Sequence, residues 1–294
     1  MAKSKKRVKS STGDAAGPGP FTRALMAGPG FVLSEVDPRS TPAYGANKKS
    51  GEKLLAATVP ELADLQEQLY AESKAAGTAA VLLVVQGMDT SGKGGIMRHV
   101  VGSVDPQGVS YTAFKAPTKE EREHPFLWRI RNALPAPGQI GVFDRSHYED
   151  VLIARVNNLV LPSTWGRRYG QINTFEQALT HAGTTIIKVM LHISSDEQKA
   201  RLGARLEQPD KNWKYNPGDV DERELWPAYQ EAYQMAIEKC SSGEAPWFVV
   251  PADRKWYARL AVQQLVVEHL RAIAPHWTAA TFDVEGEKAR LSAT

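Results

Sequence analysis

Gly87, Gly92 and Lys93 stand in the spacing Gly-x-x-x-x-Gly-Lys, and an apolar stretch, 79–85, runs straight into them. Glycines here, with Gly94 and Gly95 behind them, let the backbone turn tightly, so that successive N–H groups and the start of a following helix face phosphate oxygens. Met88, Asp89, Thr90 and Ser91 fill the loop, and Lys93 adds a mobile positive charge. The chemistry on offer is the gripping of a polyanion. Gly94 stands where a Ser or Thr ordinarily ligates magnesium, so another oxygen must take that part.

Two carboxylates are candidates. The apolar run Ile140-Gly-Val-Phe143 ends at Asp144, where a second strand delivers an acid to the carboxyl edge of a parallel sheet, beside the loop. Asp89 sits inside the loop itself. Magnesium accepts one or two carboxylates together with phosphate oxygens and water. Each aspartate also has an ordinary reading: Asp144 as N-cap of a helix beginning near Ser146, Asp89 as a turn residue holding the loop backbone.

The elements that must position these residues follow from the hydrophobic pattern. Buried-type strands are expected at 81–85, 109–114, 139–143, 184–192 and 246–250, with helices near 120–131, 146–157, 169–182, 195–207, 221–240 and 254–273. Thr58-x-Pro60-Glu61 reads as a capping-box start, with Leu62, Leu65 and Leu69 on one face of the helix that follows. Alternating strands and helices predict an α/β fold of three layers, a mostly parallel five-stranded sheet with helices on both faces. Residues 1–20 read as a disordered basic tail, 21–57 as an irregular arm, 58–280 as one domain and 281–294 as a C-terminal tail. Within the domain, 195–220 reads as a helical lid. Ser195-x-x-Gln198 caps a helix carrying Arg201 and Arg205 on one face, and Lys211, Trp213 and Lys214 follow. Such cations either close over phosphates or pair with Glu197, Glu207 or Asp210.

Composition narrows the function classes. The net charge is +3, and Lys3, Lys5, Lys6, Arg7 and Lys9 supply more than all of it, so the body is not basic and nucleic acid is disfavoured as a partner. No apolar run approaches the roughly 20 residues that span a bilayer. A single cysteine, Cys240, excludes an internal disulfide and fits a reducing cytoplasm. The seven histidines do not cluster with it, so no zinc site is expected.

Several ordered segments together resemble the family-2 polyphosphate kinases: Gly87-Met-Asp-Thr-Ser-Gly-Lys-Gly-Gly95, Asp105-Pro-Gln-Gly108, Pro117-Thr118-x-Glu120-Glu121, Phe126-Leu-Trp-Arg129 and Phe143-Asp-Arg-Ser-His-Tyr-Glu-Asp150. The likeness runs from about Phe31 to about residue 270. It implies a P-loop kinase fold that moves a phosphoryl group from inorganic polyphosphate to AMP or ADP, with Mg2+ (or Mn2+), as a homodimer or homotetramer. Asp89, Lys93, Asp144 and Arg145 match the essential loop and strand-end residues, and the segment Lys211–Lys214 resembles the lid module. The wording 144–150 is similar to the class III subgroup, which accepts both AMP and ADP. Glu149 and Arg129 are then candidates for acceptor recognition, Arg145, Arg201 and Arg205 for charge support, and His147 for a structural role. Rival readings are an ATP-dependent nucleoside monophosphate kinase and a non-enzymatic binder of acidic polymers. A Ser–His–Asp hydrolase is disfavoured, because Ser146 and His147 are neighbours on one segment and no nucleophile elbow surrounds the serine.

Overall fold

The computed structural model describes residues 17–294; residues 1–16, most of the segment read as a basic tail, lie outside the described residues. A parallel sheet forms the centre, in the order β2-β3-β1-β4-β5. Its strands are β1 (Ala80–Gln86), β2 (Val109–Ala113), β3 (Ile140–Asp144), β4 (Thr184–His192) and β5 (Trp247–Pro251). β1 is buried along its whole length, as expected for a nearly continuous apolar strand covered on both faces. Val81, Leu83 and Val85 point to one hydrophobic cluster, Leu82 and Val84 to the other, following the period of two along a strand.

One face carries α1 (Pro20–Leu25), α2 (Lys48–Ser73), α3 (Lys93–His99) and α11 (Lys255–Ile273). The other carries α7 (Pro162–His181) and α10 (Trp226–Cys240), with the short helices α4 (Lys119–Glu123), α5 (Trp128–Asn132) and α6 (Ile153–Val156) nearby in the chain. α8 (Ser195–Glu207) and α9 (Gly218–Glu224) lead off the end of β4, and α12 (Val284–Ser292) lies on the C-terminal segment read as a tail.

Several expected boundaries move, each for a local reason. α2 begins ten residues before Thr58, capped by Asn47, whose Oδ1 accepts from Ser50 N at 3.0 Å. Thr58 is therefore an interior residue: its Oγ1 donates back to Leu54 O (2.9 Å) and accepts from Gln264 Nε2 (3.1 Å), tying α2 to α11. Gly51 allows that packing, since a Cβ there would lie 2.4 Å from the ring of Trp256. The helix expected at 120–131 is two helices, because Pro125 holds His124 extended and ends α4. Pro227 likewise starts α10 afresh. The region 146–157 opens as a 3-10 turn, His147–Asp150, and Ser194, rather than Ser195, caps α8, accepting from Glu197 N at 3.1 Å.

Beneath β3's end lies a buried polar knot. Lys188 on β4 is fully buried and donates to Glu176 Oε2 at 2.6 Å and to the Tyr148 hydroxyl at 3.0 Å. Tyr148 Oη donates to Glu176 Oε1 at 2.8 Å, and His147 Nε2 lies 3.2 Å from the same oxygen. Burial pushes the Glu176 carboxyl up, but Lys188 and His147 outweigh it and leave the group below its ordinary value. His147 is thereby a core residue, away from solvent. Replacing Lys188 by Ala strands a buried carboxylate and is expected to cost about 3–5 kcal/mol, with Lys188→Met plus Glu176→Leu recovering much of it. Denaturant unfolding of the single and paired variants checks this.

Candidate active site

The register of the two central strands sets the site. Val85 lies opposite Asp144, so the carboxyl ends of β1 and β3 release their chains side by side. The chain leaves β1 for β2 in one direction across the sheet and leaves β3 for β4 in the other, which makes the gap above them the topological switch point where ligands bind in open α/β sheets.

After β1, the loop makes the turns that its glycines predict. Gly87 and Gly92 have φ of 149° and 118°, and Thr90 is forced to φ 63°. A side chain on Gly87 would lie 2.7 Å from Leu191 O, so this position needs glycine for space as well as for φ. Ser91 N donates to Met88 O at 3.1 Å and closes the turn. Among the described residues, the N–H groups of Asp89, Thr90, Gly92, Lys93 and Gly94 make no hydrogen bond to protein, and they surround one cleft. Lys93 Nζ rests on Gly87 O (2.7 Å) and Met88 O (3.3 Å). Burial lowers its pKa, with Asp89 opposing the shift.

After β3, Arg145 takes a left-handed conformation, φ 63°, with its N–H donating to Val85 O at 3.1 Å. A non-glycine residue there stores on the order of 1–3 kcal/mol. The strained turn swings the guanidinium back over the loop, where Nη2 donates to Asp89 Oδ1 at 2.9 Å. Burial raises the Asp89 pKa, but Lys93 and Arg145 outweigh it and hold the carboxyl below its ordinary value. Asp144 accepts a long bond, 3.4 Å, from the Tyr111 hydroxyl. Ser146, not Asp144, caps the next turn, accepting from Tyr148 N at 3.1 Å.

Two clefts meet at this point, sharing Asp89, Phe114, Lys115 and Arg145 in their walls. The first, about 690 Å³, is lined by the loop from Asp89 through Gly95, by Asp144, and by the cations Arg98, Lys115, Arg205, Lys211, Lys214, Lys255 and Arg259. The second, about 410 Å³, is lined by Gly87, Met88, Glu149, Asp150, Arg129, Asn216, Asp219, Glu222, Tyr229 and Tyr233. One cleft is cationic; the other mixes carboxylates, aromatic rings and apolar side chains. Gly94 faces open space, with nothing within 4 Å of where its Cβ would be.

Of the residues singled out in the sequence, Gly87, Met88, Asp89, Thr90, Ser91, Gly92, Lys93, Gly94, Gly95, Asp144, Arg145, Glu149, Arg205 and Lys211 all border these clefts. Arg201 does not. Its guanidinium is buried, bonded to Glu197 Oε1 (2.8 Å) and to the carbonyls of Thr90, Ser91, Ala252 and Asp253 (2.7–3.0 Å), so it braces the loop from behind instead of facing a phosphate. Arg129 borders the second cleft, but it donates to Lys115 O (2.9 Å) and lies 3.6 Å from Glu121, which engages it with protein. Arg205 is held by Asp219 Oδ2 at 3.1 Å and Lys214 O at 2.8 Å. The cations Arg98, Lys115, Lys255 and Arg259 had no motif to announce them. The pair 255/259, one helical turn apart at the start of α11, is the one local signal that was available.

Asp89, in the loop, and Asp144, at the end of β3, offer hard carboxylate oxygens to the same cleft, and no group of three or more His, Cys, Asp or Glu capable of caging a metal occurs among the described residues. That donor set fits Mg2+, or Mn2+, held jointly with phosphate oxygens and water. No described helix is long and apolar enough to cross a membrane.

Residues 45–276 match the model of the family Polyphosphate kinase 2. The chain belongs to the polyphosphate kinase 2 family. It is 45% identical over 244 residues to an AMP/ADP-polyphosphate phosphotransferase of Meiothermus ruber, covering 83% of this chain and 90% of that one. It is 41% identical over 252 residues to an ADP-polyphosphate phosphotransferase of Rhodopseudomonas palustris, covering 82% and 84%. The crystal structure of polyphosphate kinase 2 from Arthrobacter aurescens TC1 superposes with a TM-score of 0.90 at 55% identity, over 92% of this chain and 95% of that one. The five-stranded parallel sheet and its flanking helices are thus the polyphosphate kinase 2 fold.

Glu149 is raised by burial, with Arg145 and Lys93 opposing, whereas Asp89 is lowered. As pH falls, Glu149 is therefore expected to take up its proton first. Arg145→Met removes a cation beside both groups and should move both upward. Carboxyl-carbon NMR titration reads each, and Asp89 protonating before Glu149 would contradict the assignment.

Proposed function

We propose that the protein transfers the terminal phosphoryl group of inorganic polyphosphate to AMP and ADP, reversibly, forming ADP and ATP. The observation that carries the reading is the meeting of a cation-lined cleft with a carboxylate- and tyrosine-lined cleft at the Asp89–Arg145 pair. A linear polyanion suits the first; the second has the mixed polar and aromatic walls that suit a nucleoside. The relatives named above as an AMP/ADP-polyphosphate phosphotransferase and an ADP-polyphosphate phosphotransferase support the same donor and acceptors; the class III acceptor range rests on the wording of residues 144–150.

Phosphoryl transfer needs an acceptor oxygen in line with the donor phosphorus and positive charge around the transferred group. Lys93 leaves the neutral Gly87 and Met88 carbonyls for a charged phosphate oxygen, so that donor and acceptor are both ionised and the bond gains an ion-pair attraction. The loop N–H groups take the remaining oxygens. Arg145, at the junction, supports charge on the group in transit, while Arg205, Lys211 and the α3 and α11 cations hold the chain behind it. An acceptor phosphate is ionised at neutral pH, so no strong base is needed; Asp89 orients it. Asp89 and Asp144 would hold magnesium, which would supply positive charge to offset that of the phosphates. Glu149 borders the acceptor cleft, as do Asp219 and Glu222. Arg129 acts through Lys115, whose carbonyl it holds.

The setting is taken to be the cytoplasm, in keeping with the buried free thiol of Cys240, and the assembly a homodimer or homotetramer.

Turnover of ADP, and separately AMP, with long-chain polyphosphate and magnesium and no added ATP is the expected result; a strict requirement for ATP as donor would assign the chain to the rival kinase class. Lys93→Ala should lower kcat by about 10²–10³ without loss of folded protein. Arg205→Ala should chiefly raise the KM for polyphosphate, whereas Arg201→Ala, which releases the loop, should chiefly lower kcat. Steady-state kinetics with polyphosphate varied at saturating ADP separates these outcomes.

A further inference from the structure

We infer that Gln198 is a positioning residue that locks the phosphate loop to the helix walling the acceptor cleft. This deepens the proposed transfer reaction and rests on it. Gln198 is 1% exposed, on the first turns of α8, where an apolar side chain would pack as well. Burying an amide is unfavourable unless it is hydrogen-bonded. Its two ends are used in different directions: Nε2 donates to Asp89 O at 3.1 Å, and Oε1 accepts from Arg223 Nη1 at 2.8 Å. Arg223 also donates to Ser195 O at 2.9 Å and Ser195 Oγ at 3.2 Å. It belongs to α9, the helix whose Asp219 and Glu222 line the second cleft. A continuous chain of bonds therefore runs from the acceptor wall through Gln198 to the peptide that follows the Asp89 side chain.

What that bond accomplishes follows from peptide geometry. The amide plane between Asp89 and Thr90 is rigid and trans, so fixing its carbonyl toward α8 turns the Thr90 N–H the opposite way, away from α8. Arg201, one turn further along α8, does the same to the next two peptides through Thr90 O and Ser91 O. Thr90 is a β-branched residue at φ 63°, a conformation it would leave if released. The carbonyl side of the loop is thus held by α8, leaving the Thr90 and Gly92 N–H groups without protein partners. Of the two braces, only Gln198 also bonds α9.

Gln198→Glu separates the two halves, because a carboxylate still accepts from Arg223 but has no N–H for Asp89 O. The expected result is a fall in kcat of about tenfold or more, a nucleotide KM changed by less than about twofold, and faster hydrogen–deuterium exchange at Ser91, whose N–H closes the loop turn on Met88 O. Arg223→Gln, working from the other end, should raise the nucleotide KM and also quicken exchange at that amide. The Gln198→Ala and Arg223→Ala effects should be non-additive in the double variant. Unchanged loop exchange in both Gln198→Glu and Arg223→Gln, or strictly additive effects, overturns the inference. Exchange is read without turnover, so absence of polyphosphate-driven turnover in the wild type would sink the proposed reaction and leave the brace to be decided separately. If Gln198→Glu does not fold, Arg223→Gln alone carries the exchange test.

Discussion

Everything in the site depends on two parallel strands ending at the same height. With Val85 opposite Asp144, the loop after β1 and the turn after β3 leave the sheet side by side, and the Asp89–Arg145 ion pair closes between them at 2.9 Å. A one-residue slip would turn Asp144 to the opposite face of the sheet and carry Arg145 away from the loop. β1 is buried on both faces, with Val81, Leu83 and Val85 packed in one hydrophobic cluster and Leu82 and Val84 in the other. The buried knot of Lys188, Glu176, Tyr148 and His147 then holds the segment that follows Arg145 against β4. Strain at Arg145 persists because the surroundings on every side leave it no other conformation.

The second organising feature is the division of charge. Cations from the phosphate loop, α3, α11 and the segment after β4 gather on one side of the Asp89–Arg145 pair, and carboxylates with tyrosines, beside Lys115 and Arg129, gather on the other. A chain of phosphates entering the second cleft would meet Glu149, Asp150, Asp219 and Glu222; a nucleoside entering the first would meet mostly ammonium and guanidinium groups. In the proposed reaction, discrimination between donor and acceptor would arise as much from repulsion as from attraction. Arg205 and Asp219 bridge the boundary at 3.1 Å, with the arginine in the wall of the first cleft and the aspartate in the wall of the second.

The sheet, its five strands and the phosphate loop were legible in the sequence because most have a local cause, a continuous apolar run or glycines at fixed offsets; β2, expected as a buried strand, is instead a half-exposed edge strand, Val-Ser-Tyr-Thr-Ala, marked by its β-branched and aromatic residues. Element ends were less so. Thr58 has the composition of a cap, yet α2 starts upstream because packing on α11 through Gly51 and Trp256 stabilises the extra turns. Pro125 and Pro227, by contrast, carried breaks that the apolar periodicity alone obscured. Among site residues, Asp89, Lys93 and Asp144 could be found because they sit in the loop or at a strand end, whereas Arg145 was singled out only through the resemblance of 143–150 to a known family. Lys255, Arg259, Asp219 and Glu222 could not, since their neighbours in space are far away in sequence. Arg201 was misplaced for a different reason: spacing puts it on the same helical face as Arg205, but a face contains both a deep and a shallow end, and only tertiary contact decides which arginine is consumed by backbone carbonyls.

That distinction between consumed and available cations bears on how a polyanion is recognised. Arg201 is spent on Glu197 and four carbonyls, and Arg129 on Lys115 O and Glu121; removing either from those partners leaves buried acceptors unsatisfied, so they stay. Lys93, Arg145 and Arg205 are also bonded, but at the edge of open clefts and, for Lys93, to neutral carbonyls alone. A ligand must compete with these bonds. A neutral ligand offers no gain over a carbonyl already in place, whereas phosphate oxygens offer stronger, charge-assisted bonds to several cations at once. The resting contacts of the loop therefore act as a threshold that weakly charged molecules fail to cross, and it is the protein's own backbone, holding Lys93 in reserve, that sets it.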